Sequence, residues 1–236
     1  MISFFIPIRK NSKRIKNKNV RPLPNFRYGL TEMKINQLRK LRYLIARNKT
    51  KMFNNIEYII STNCEVVKKY CKKFSWIKIH ERNRYLSNDD SIQELIEVIP
   101  NICSGSHVLW THVTSPFFSE KSYYSFLKKY FTRKKVRNSA FSADLIQKFL
   151  LSPKRGWISH NAKLNRWPRT QDLEKIYLAN SAAFIAPINI YKKYKNRLCN
   201  SPTPIVLEND LAGFDIDNMK DLIFLKKKLK EKNGKI

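Results

Sequence analysis

Short apolar runs alternate with segments of helical spacing over most of this 236-residue chain. After a first apolar run at Ile2, strand patterns cover 56–61, 76–80 and 108–113, and helical patterns cover 30–46, 65–73, 91–102 and 120–131. Strands that alternate with helices in this way predict a mostly parallel sheet with helices on both of its faces. The expected fold class is therefore α/β, a Rossmann-like α/β/α sandwich.

The length of the chain suits one generous domain, which we place at 1–236. A hydrophobic content of 42% argues against wholesale disorder. The segment at about 141–177 fits the alternation poorly, because prolines and a glycine interrupt any long helix there. We predict an inserted lobe at this place, with Phe149, Trp157 and Trp167 either as its buried anchors or as ordinary core residues.

A basic loop follows the first strand. Its cations are Arg9, Lys10, Lys13, Arg14, Lys16 and Lys18, and its short polar side chains are Asn11, Ser12, Asn17 and Asn19. Ligands of open α/β sheets bind beyond the carboxyl ends of the strands, so the loop is placed to bind phosphate groups. The five glycines of the chain supply neither a GxGxxG nor a Walker A pattern, so the phosphates would be held in another way. A solvated basic loop or a nucleic-acid patch is the alternative.

The order of residues within this loop carries a resemblance to a known family. The segments 6–9 (IPIR), 12–15 (SKRI) and 18–23 (KNVRPL) resemble the N-terminal signature of the acylneuraminate cytidylyltransferases, the CMP-sialic acid synthetases and their relatives. Lysine and asparagine stand at 10–11 and at 16–17, where the family often has two glycines and a Pro-Gly pair. The resemblance implies a nucleotide-sugar transferase type of fold, with Arg9, Ser12, Lys18 and Asn19 on the nucleotide.

Two further segments resemble the family at strand ends. Residues 60–63 (ISTN) are similar to its Ser-Thr-Asp motif with Asn63 in place of the acid, and Thr62 or Asn63 would equally suit a helix N-cap. Residues 109–117 (LWTHVTSPF) are similar to its strand ending in Thr-Ser-Pro, which implies that Thr114 and Ser115 bind the nucleotide. His112 stands where glutamine is usual, and Thr-Ser-Pro is otherwise a common turn.

The acceptor side of the family's site resembles the segments 166–172 and 177–186. The resemblance implies that Arg169, Gln171 and Asn180 bind the substrate. Arg169 suits this role because an arginine can hold a carboxylate or a phosphate with two hydrogen bonds. Ser181 replaces the usual glycine after Asn180. Without the matching residues around it, Arg169 would be interpreted as an ordinary surface residue.

An acid pair, Asp215 and Asp217, follows Gly213 near the end of the chain. Two carboxylates separated by one residue on an extended segment point the same way, so both can serve one Mg²⁺ or Mn²⁺ ion. An isolated pair of this kind is more often a loop or cap feature, and Asp221 lies one turn on, where it can cap the next helix. The resemblance assigns the metal to Asp215 and Asp217 and catalysis to these two with Arg9 and Lys18.

The resemblance implies a reaction and an assembly. The enzyme would transfer CMP from CTP to the anomeric hydroxyl of an acidic nonulosonate sugar of sialic, legionaminic or pseudaminic type, with release of pyrophosphate, for surface polysaccharide biosynthesis. In relatives the inserted lobe forms a dimer and completes the partner's sugar site, so a homodimer is expected.

The formal charge of +29 supports a competing interpretation, a basic nucleic-acid-binding protein on an inactive nucleotidyltransferase-like fold. Much of the excess falls on predicted helix surfaces, and no zinc-finger, RRM or KH signature accompanies it. The four cysteines show no metal-ligand spacing, which favours reduced thiols. No apolar stretch reaches the roughly 20 residues of a membrane span, and we expect a cytoplasmic protein.

Overall fold

The computed structural model describes residues 1–10, 12–49, 53, 55–83, 86, 92–132 and 138–233. The strands are β1 Ile2–Ile8, β2 Ile56–Thr62, β3 Ile77–Glu81, β4 His107–Thr111, β5 Ala140–Ile146, β6 Leu151–Ser152, β7 Gly156–Trp157, β8 Ile176–Pro187 and β9 Thr203–Val206. The helices are α1 Gly29–Arg47, α2 Glu65–Cys71, α3 Ile92–Glu97, α4 Ile99–Ile102, α5 Glu120–Phe131, α6 Ile188–Tyr194 and α7 Met219–Asn233.

Seven strands form one sheet in the order β3-β2-β1-β4-β8-β5-β9. Strands β1 to β4 run parallel to one another, and β8 is antiparallel to both β4 and β5. Strand β9 pairs in parallel with β5. The prediction of a mostly parallel α/β sheet is confirmed, and the carboxyl ends of β1 to β4 lie along one edge.

The apolar core lies on both faces of this sheet. Along β1, Phe4 and Ile6 pack into one cluster with residues of α1 and α5, while Phe5 packs into another with residues of α3 and α6. All three side chains are fully buried. A strand that is apolar on both sides needs a layer on each face, and this gives the sandwich that the sequence predicts.

One predicted helix is broken. The pattern over 91–102 forms two helices, α3 and α4, with the break at Val98. Pro100 lies in the first turn of α4, where its missing backbone N–H costs nothing, whereas in a continuous helix it would remove a hydrogen bond. Residue 91 lies outside the described part of the chain.

The segment that leaves the sheet is shorter than the predicted 141–177. Strand β5 pairs with β8 as far as Ile146 and Ile176, so the excursion covers only 147–175. The rings of Phe149, Trp157 and Trp167 contact one another there, with centroids 5.4 to 6.0 Å apart. They anchor the excursion, although Trp167 is 66% exposed.

The described helices include none that combines the length and the apolar character needed to cross a membrane. Cys64, Cys71, Cys103 and Cys199 are free thiols, as their spacing predicts.

Candidate active site

A cavity of about 500 Å³ opens where the loops after β1, β3 and β4 meet the segment before α7. The predicted site residues that line it are Arg9, Ser12, Lys18, Asn19, Thr114, Asp215 and Asp217. Lys13 and Arg14 of the same basic loop line it too. The cavity therefore joins a concentrated positive charge to two carboxylates.

Side-chain amides shape the loop after β1. Asn17 has a φ of 56°, in the left-handed region that asparagine tolerates better than most residues, and its carbonyl accepts the N–H groups of Val20 and Arg21. Asn19 donates from Nδ2 to the carbonyl oxygen of Arg9, at 3.0 Å, and so ties the two ends of the loop together. Asn17 thus makes a left-handed turn at a position where the family that the sequence resembles often has glycine.

Asn63 supports this loop from the neighbouring strand end. Its Oδ1 accepts the backbone N–H of Lys10 at 2.7 Å. Helix α2 has Cys64 as its N-cap, with no side-chain cap bond. The alternative role of Asn63 as an N-cap is therefore wrong, and the amide positions the basic loop instead.

Lys18 lies between the two carboxylates. It is 9% exposed, and its Nζ donates to the carbonyl oxygen of Ile216 at 2.6 Å. Burial lowers the pKa of Lys18, while Asp215 and Asp217 act in the opposite direction. The lysine therefore holds the acid pair in place and adds a positive charge to the cavity wall.

The acid pair is fixed by main-chain bonds on both sides. The backbone N–H of Ile216 donates to the carbonyl of Thr114 at 2.9 Å, and Asp221 Oδ2 accepts the N–H groups of Asp217 and Asn218 at 2.7 and 2.8 Å. Asp221 thus caps the start of α7. These bonds join the loop after β4 to the segment that carries the carboxylates.

The two carboxylates have different partners. Asp217 Oδ1 lies 2.8 Å from Nη2 of Arg14. Asp215 Oδ1 is buried and has no hydrogen-bond partner in the described part of the chain. An orphaned buried carboxylate oxygen costs free energy unless a cation or a donor reaches it.

This donor set fits Mg²⁺ or Mn²⁺. Protein sites for Mg²⁺ usually supply one or two carboxylates and leave the other positions to water and phosphate oxygens. Over the described residues there is no group of three or more His, Cys, Asp or Glu side chains that could hold a metal ion. Asp215 and Asp217 would therefore share an ion with a bound phosphate chain.

Ser115 does not line the cavity, although the sequence places it on the nucleotide. It is fully buried, and its carbonyl accepts Nζ of Lys34 at 3.1 Å. Gln37, one turn further along α1, donates to the carbonyl of Pro116 at 2.6 Å. Helix α1 thus fixes the loop from behind, and Thr114 alone of the predicted pair faces the cavity.

Lys34 is one of the residues that sequence reasoning missed. It is 1% exposed, and its Nζ also donates to the hydroxyl of Tyr123 at 2.9 Å. Burial lowers the pKa of Lys34 to about 7, with Asp215 acting in the opposite direction. Its pattern in the sequence is that of any lysine on an amphipathic helix.

Sequence reasoning also missed Arg82 and Trp110. Arg82 follows β3, lines the cavity and donates from Nε to the hydroxyl of Ser61 at 3.0 Å. Its Nη2 is buried with no partner among the described residues, and burial lowers the pKa of its guanidinium to about 10. Trp110 and His112 line the same cavity. Nothing local distinguishes Arg82 from the 47 lysines and arginines of the chain.

The predicted substrate residues lie outside this cavity. Arg169 has a side chain that is 75% exposed and pairs with Asp172 at 2.8 Å on the excursion, and Gln171 is exposed beside it. Asn180 is buried, accepting from Ser142 Oγ and donating to Asp144 Oδ1 at 3.0 Å. The described chain therefore does not bring these three residues together with the basic loop.

The backbone after Asn180 takes an unusual conformation. Ser181 has a φ of 47°, in the left-handed region that favours glycine. This explains why glycine is the usual residue there in the family that the sequence resembles.

No family model matches this sequence, and no curated protein matches it. Solved structures match it at low sequence identity. A CMP:2-keto-3-deoxy-manno-octonic acid synthetase complexed with CTP has a TM-score of 0.62 at 12% identity over 98% of this chain and 99% of its own. A 4-diphosphocytidyl-2C-methyl-D-erythritol synthase from Anaerococcus prevotii has 0.60 at 12% identity over 97% and 98%. A nucleotidyl transferase from Methanothermobacter has 0.58 at 10% identity over 98% and 99%.

The chain has a nucleotidyltransferase-like fold. The first of these structures is a CMP-sugar-acid synthetase with CTP, the second a diphosphocytidyl compound's synthase and the third a nucleotidyl transferase, so the fold predicted from the sequence is confirmed. At such identities the likeness concerns the fold, and membership of the acylneuraminate family stays a prediction. The likeness extends over almost the whole of each chain.

Proposed function

We propose that this chain is a CTP-dependent cytidylyltransferase that activates an acidic nonulosonate sugar of sialic, legionaminic or pseudaminic type. The observation that carries the proposal is the cavity in which Arg9 and Lys18 face Asp215 and Asp217. A triphosphate with a divalent ion needs this combination of cations and carboxylates. The structural likeness to a synthetase complexed with CTP supports the same nucleotide.

In the proposed reaction, the anomeric hydroxyl oxygen of the sugar attacks the α-phosphorus of CTP. A bond forms between that oxygen and the α-phosphorus, the bond from the α-phosphorus to the oxygen that bridges it to the β-phosphorus breaks, and the proton of the hydroxyl passes to solvent water. Pyrophosphate leaves with the bonding electrons. No covalent enzyme intermediate is required, so positioning and charge neutralisation supply the rate enhancement.

The residues of the basic loop hold the triphosphate. Arg9 and Lys18 would neutralise its oxygens as charge develops on the departing pyrophosphate, and Ser12 and Asn19 add short polar groups at the same wall. When bound at Asp215 and Asp217, Mg²⁺ or Mn²⁺ supplies further neutralisation of the phosphate charge. Thr114 would contact the nucleoside part.

A homodimer is part of the proposal. The excursion exposes large apolar side chains, with Leu151 61%, Leu164 85% and Trp167 66% exposed. Arg169 and Gln171 lie on the same excursion, exposed to solvent and outside the cavity of their own chain. We propose that this surface contacts a second copy and brings these polar residues to the partner's sugar site.

The experiment is a screen for pyrophosphate release from CTP and Mg²⁺ with a panel of acidic sugars. The expected result is release with at least one of them, reduced by roughly a hundredfold or more in Asp215→Asn and Asp217→Asn. Asp210→Asn is the matched control, because Asp210 is an exposed acid of the same segment that does not line the cavity. Unchanged thermal stability of the variants separates a site effect from unfolding.

The same variants distinguish the nucleic-acid alternative. That alternative predicts no pyrophosphate release, binding to RNA or DNA with a steep dependence on salt, and indifference to Asp215→Asn and Asp217→Asn. Full activity in both variants would contradict the metal assignment.

A further inference from the structure

The imidazole of His112 contacts two groups that can only donate hydrogen bonds. Nε1 of Trp110 lies 3.0 Å from Nε2 of His112, and Nη1 of Arg197 lies 3.5 Å from the same nitrogen. An indole N–H and a guanidinium have no lone pair to offer. Nε2 of His112 must therefore carry the lone pair, and the proton of the neutral ring must lie on Nδ1.

Arg197 is held in this position by aromatic rings. Its guanidinium carbon lies 3.8 Å from the ring centre of Phe184 and 5.4 Å from that of Trp110. No carboxylate pairs with it in the described ranges. The cation is therefore fixed by stacking and directs its N–H groups toward His112.

Several cations face the imidazole from separate elements. Burial first, and then the positive charges of Arg197, Lys34, Arg82 and Lys18, together lower the pKa of His112 to about 3. The ring is thus neutral throughout the physiological range, because a second proton would add a charge among four others.

We propose that His112 is a fixed hydrogen-bond donor to the bound ligand, with Nδ1–H directed into the cavity and Trp110 and Arg197 as the positioning residues that hold this tautomer. His112 lines the cavity and is half-buried, and both described hydrogen-bond contacts of its ring go to Nε2, which leaves Nδ1 for the ligand. A glutamine, which is usual here in the family that the sequence resembles, could either donate or accept a hydrogen bond. His112 can only donate to the ligand, because Nε2 already accepts from Trp110.

Arg82 gives a further indication of which ligand group His112 would contact. Arg82 lines the same cavity, and its buried Nη2, which has no partner among the described residues, is a second donor. Two such donors favour an unprotonated oxygen of the ligand, and on the proposed function two sources exist, a carbonyl of the cytosine ring or the carboxylate of the sugar. A ligand that presents an N–H or O–H to these donors would leave His112 and Arg82 unpaired and bind more weakly.

The tautomer is measurable in the protein without any ligand. Histidine side-chain ¹⁵N NMR, with the signal of His112 assigned through His112→Gln, is expected to show a proton on Nδ1 and no titration between pH 8 and pH 5. Removing one locking donor in Arg197→Met is expected to increase the Nε2–H form and to move the titration toward the ordinary range of histidine. A proton on Nε2 in the wild-type protein, or a titration midpoint near 6.5 there, would overturn the proposal.

The ligand role is tested by adding CTP alone and sialic acid alone. The Nδ1–H signal is expected to move with one of them, which identifies the source of the oxygen, and His112→Ala is expected to weaken that ligand by roughly tenfold. Binding of both ligands with no movement of the signal would overturn the donor role. If neither CTP nor sialic acid bound in equilibrium dialysis, the proposed function would be overturned instead. The NMR measurement of the His112 tautomer would still test the inference in that case.

Discussion

Lys18 donates from Nζ to the carbonyl oxygen of Ile216, 2.6 Å away, between Asp215 and Asp217. One hydrogen bond thus joins residues 198 positions apart in the chain. The basic loop after β1 and the acid pair before α7 are therefore one structure. A loss of Lys18 should affect both the charge of the cavity and the placement of the carboxylates.

Lys18→Met is expected to weaken CTP binding by roughly tenfold or more, because it removes a desolvated charge and a buried hydrogen bond. Lys16→Met is the matched control, since Lys16 belongs to the same loop, is exposed and does not line the cavity. Equilibrium dialysis with CTP measures both variants. Equal losses in the two would mean that the loop attracts CTP only through its general positive charge.

The buried Lys34 should make stability depend on pH. Its pKa in the folded protein is about 7, below its usual value of 10.5, so between these values the unfolded chain binds the proton and the folded chain does not. The free energy of unfolding, taken relative to Lys34→Met, should therefore rise by up to about 1.4 kcal/mol per pH unit across that window. Below pH 7 the difference should be constant.

Urea denaturation at pH 7 and at pH 9.5 measures this difference. Lys40→Met is the control, because Lys40 is an exposed lysine of the same helix. A pH-independent difference between wild type and Lys34→Met would show that Lys34 keeps an ordinary pKa in the folded protein.

If the excursion forms the dimer contact, a charged residue placed on it should dissociate the dimer. Leu164→Glu places a carboxylate on a residue that is 85% exposed in one chain and should shift the protein to a monomer in sedimentation velocity. Ile223→Glu is the control, because Ile223 is 61% exposed on α7 and away from the excursion. A wild-type protein that is monomeric at all concentrations would contradict the dimer.

Sequence reasoning succeeded where the information is local. Arg9 and Lys18 lie in one loop and Asp215 and Asp217 in one short segment, so a resemblance carried by local motifs could select them, and the structure brings both segments to one cavity. The alternation of strands and helices likewise predicts a mostly parallel sheet, because each element carries its own periodicity. The start of β5 was missed, although the apolar side chains of Phe141 and Ala143 alternate with Ser142 and Asp144 in the manner of a strand.

Sequence reasoning could not find groups that tertiary contacts bring together. Arg82, Lys34 and Arg197 come from three separate segments, and each is an unremarkable cation in a chain with 47 of them. The tautomer of His112 depends on Trp110 and Arg197, which no spacing relates to one another. Ser115 shows the converse, because a matching motif residue lies behind the loop and bonds to α1 through its carbonyl.

The most direct measurement of the central claim follows the phosphates of CTP. The protein is incubated with Mg²⁺ and an accepting sugar, with ³²P in either the α or the γ position of CTP. The α-label is expected in a CMP-sugar and the γ-label in pyrophosphate, with both signals lost in Asp215→Asn. Transfer of the γ-label to the sugar, or no transfer of the α-label to any acidic sugar of the panel, would contradict the assignment as a cytidylyltransferase.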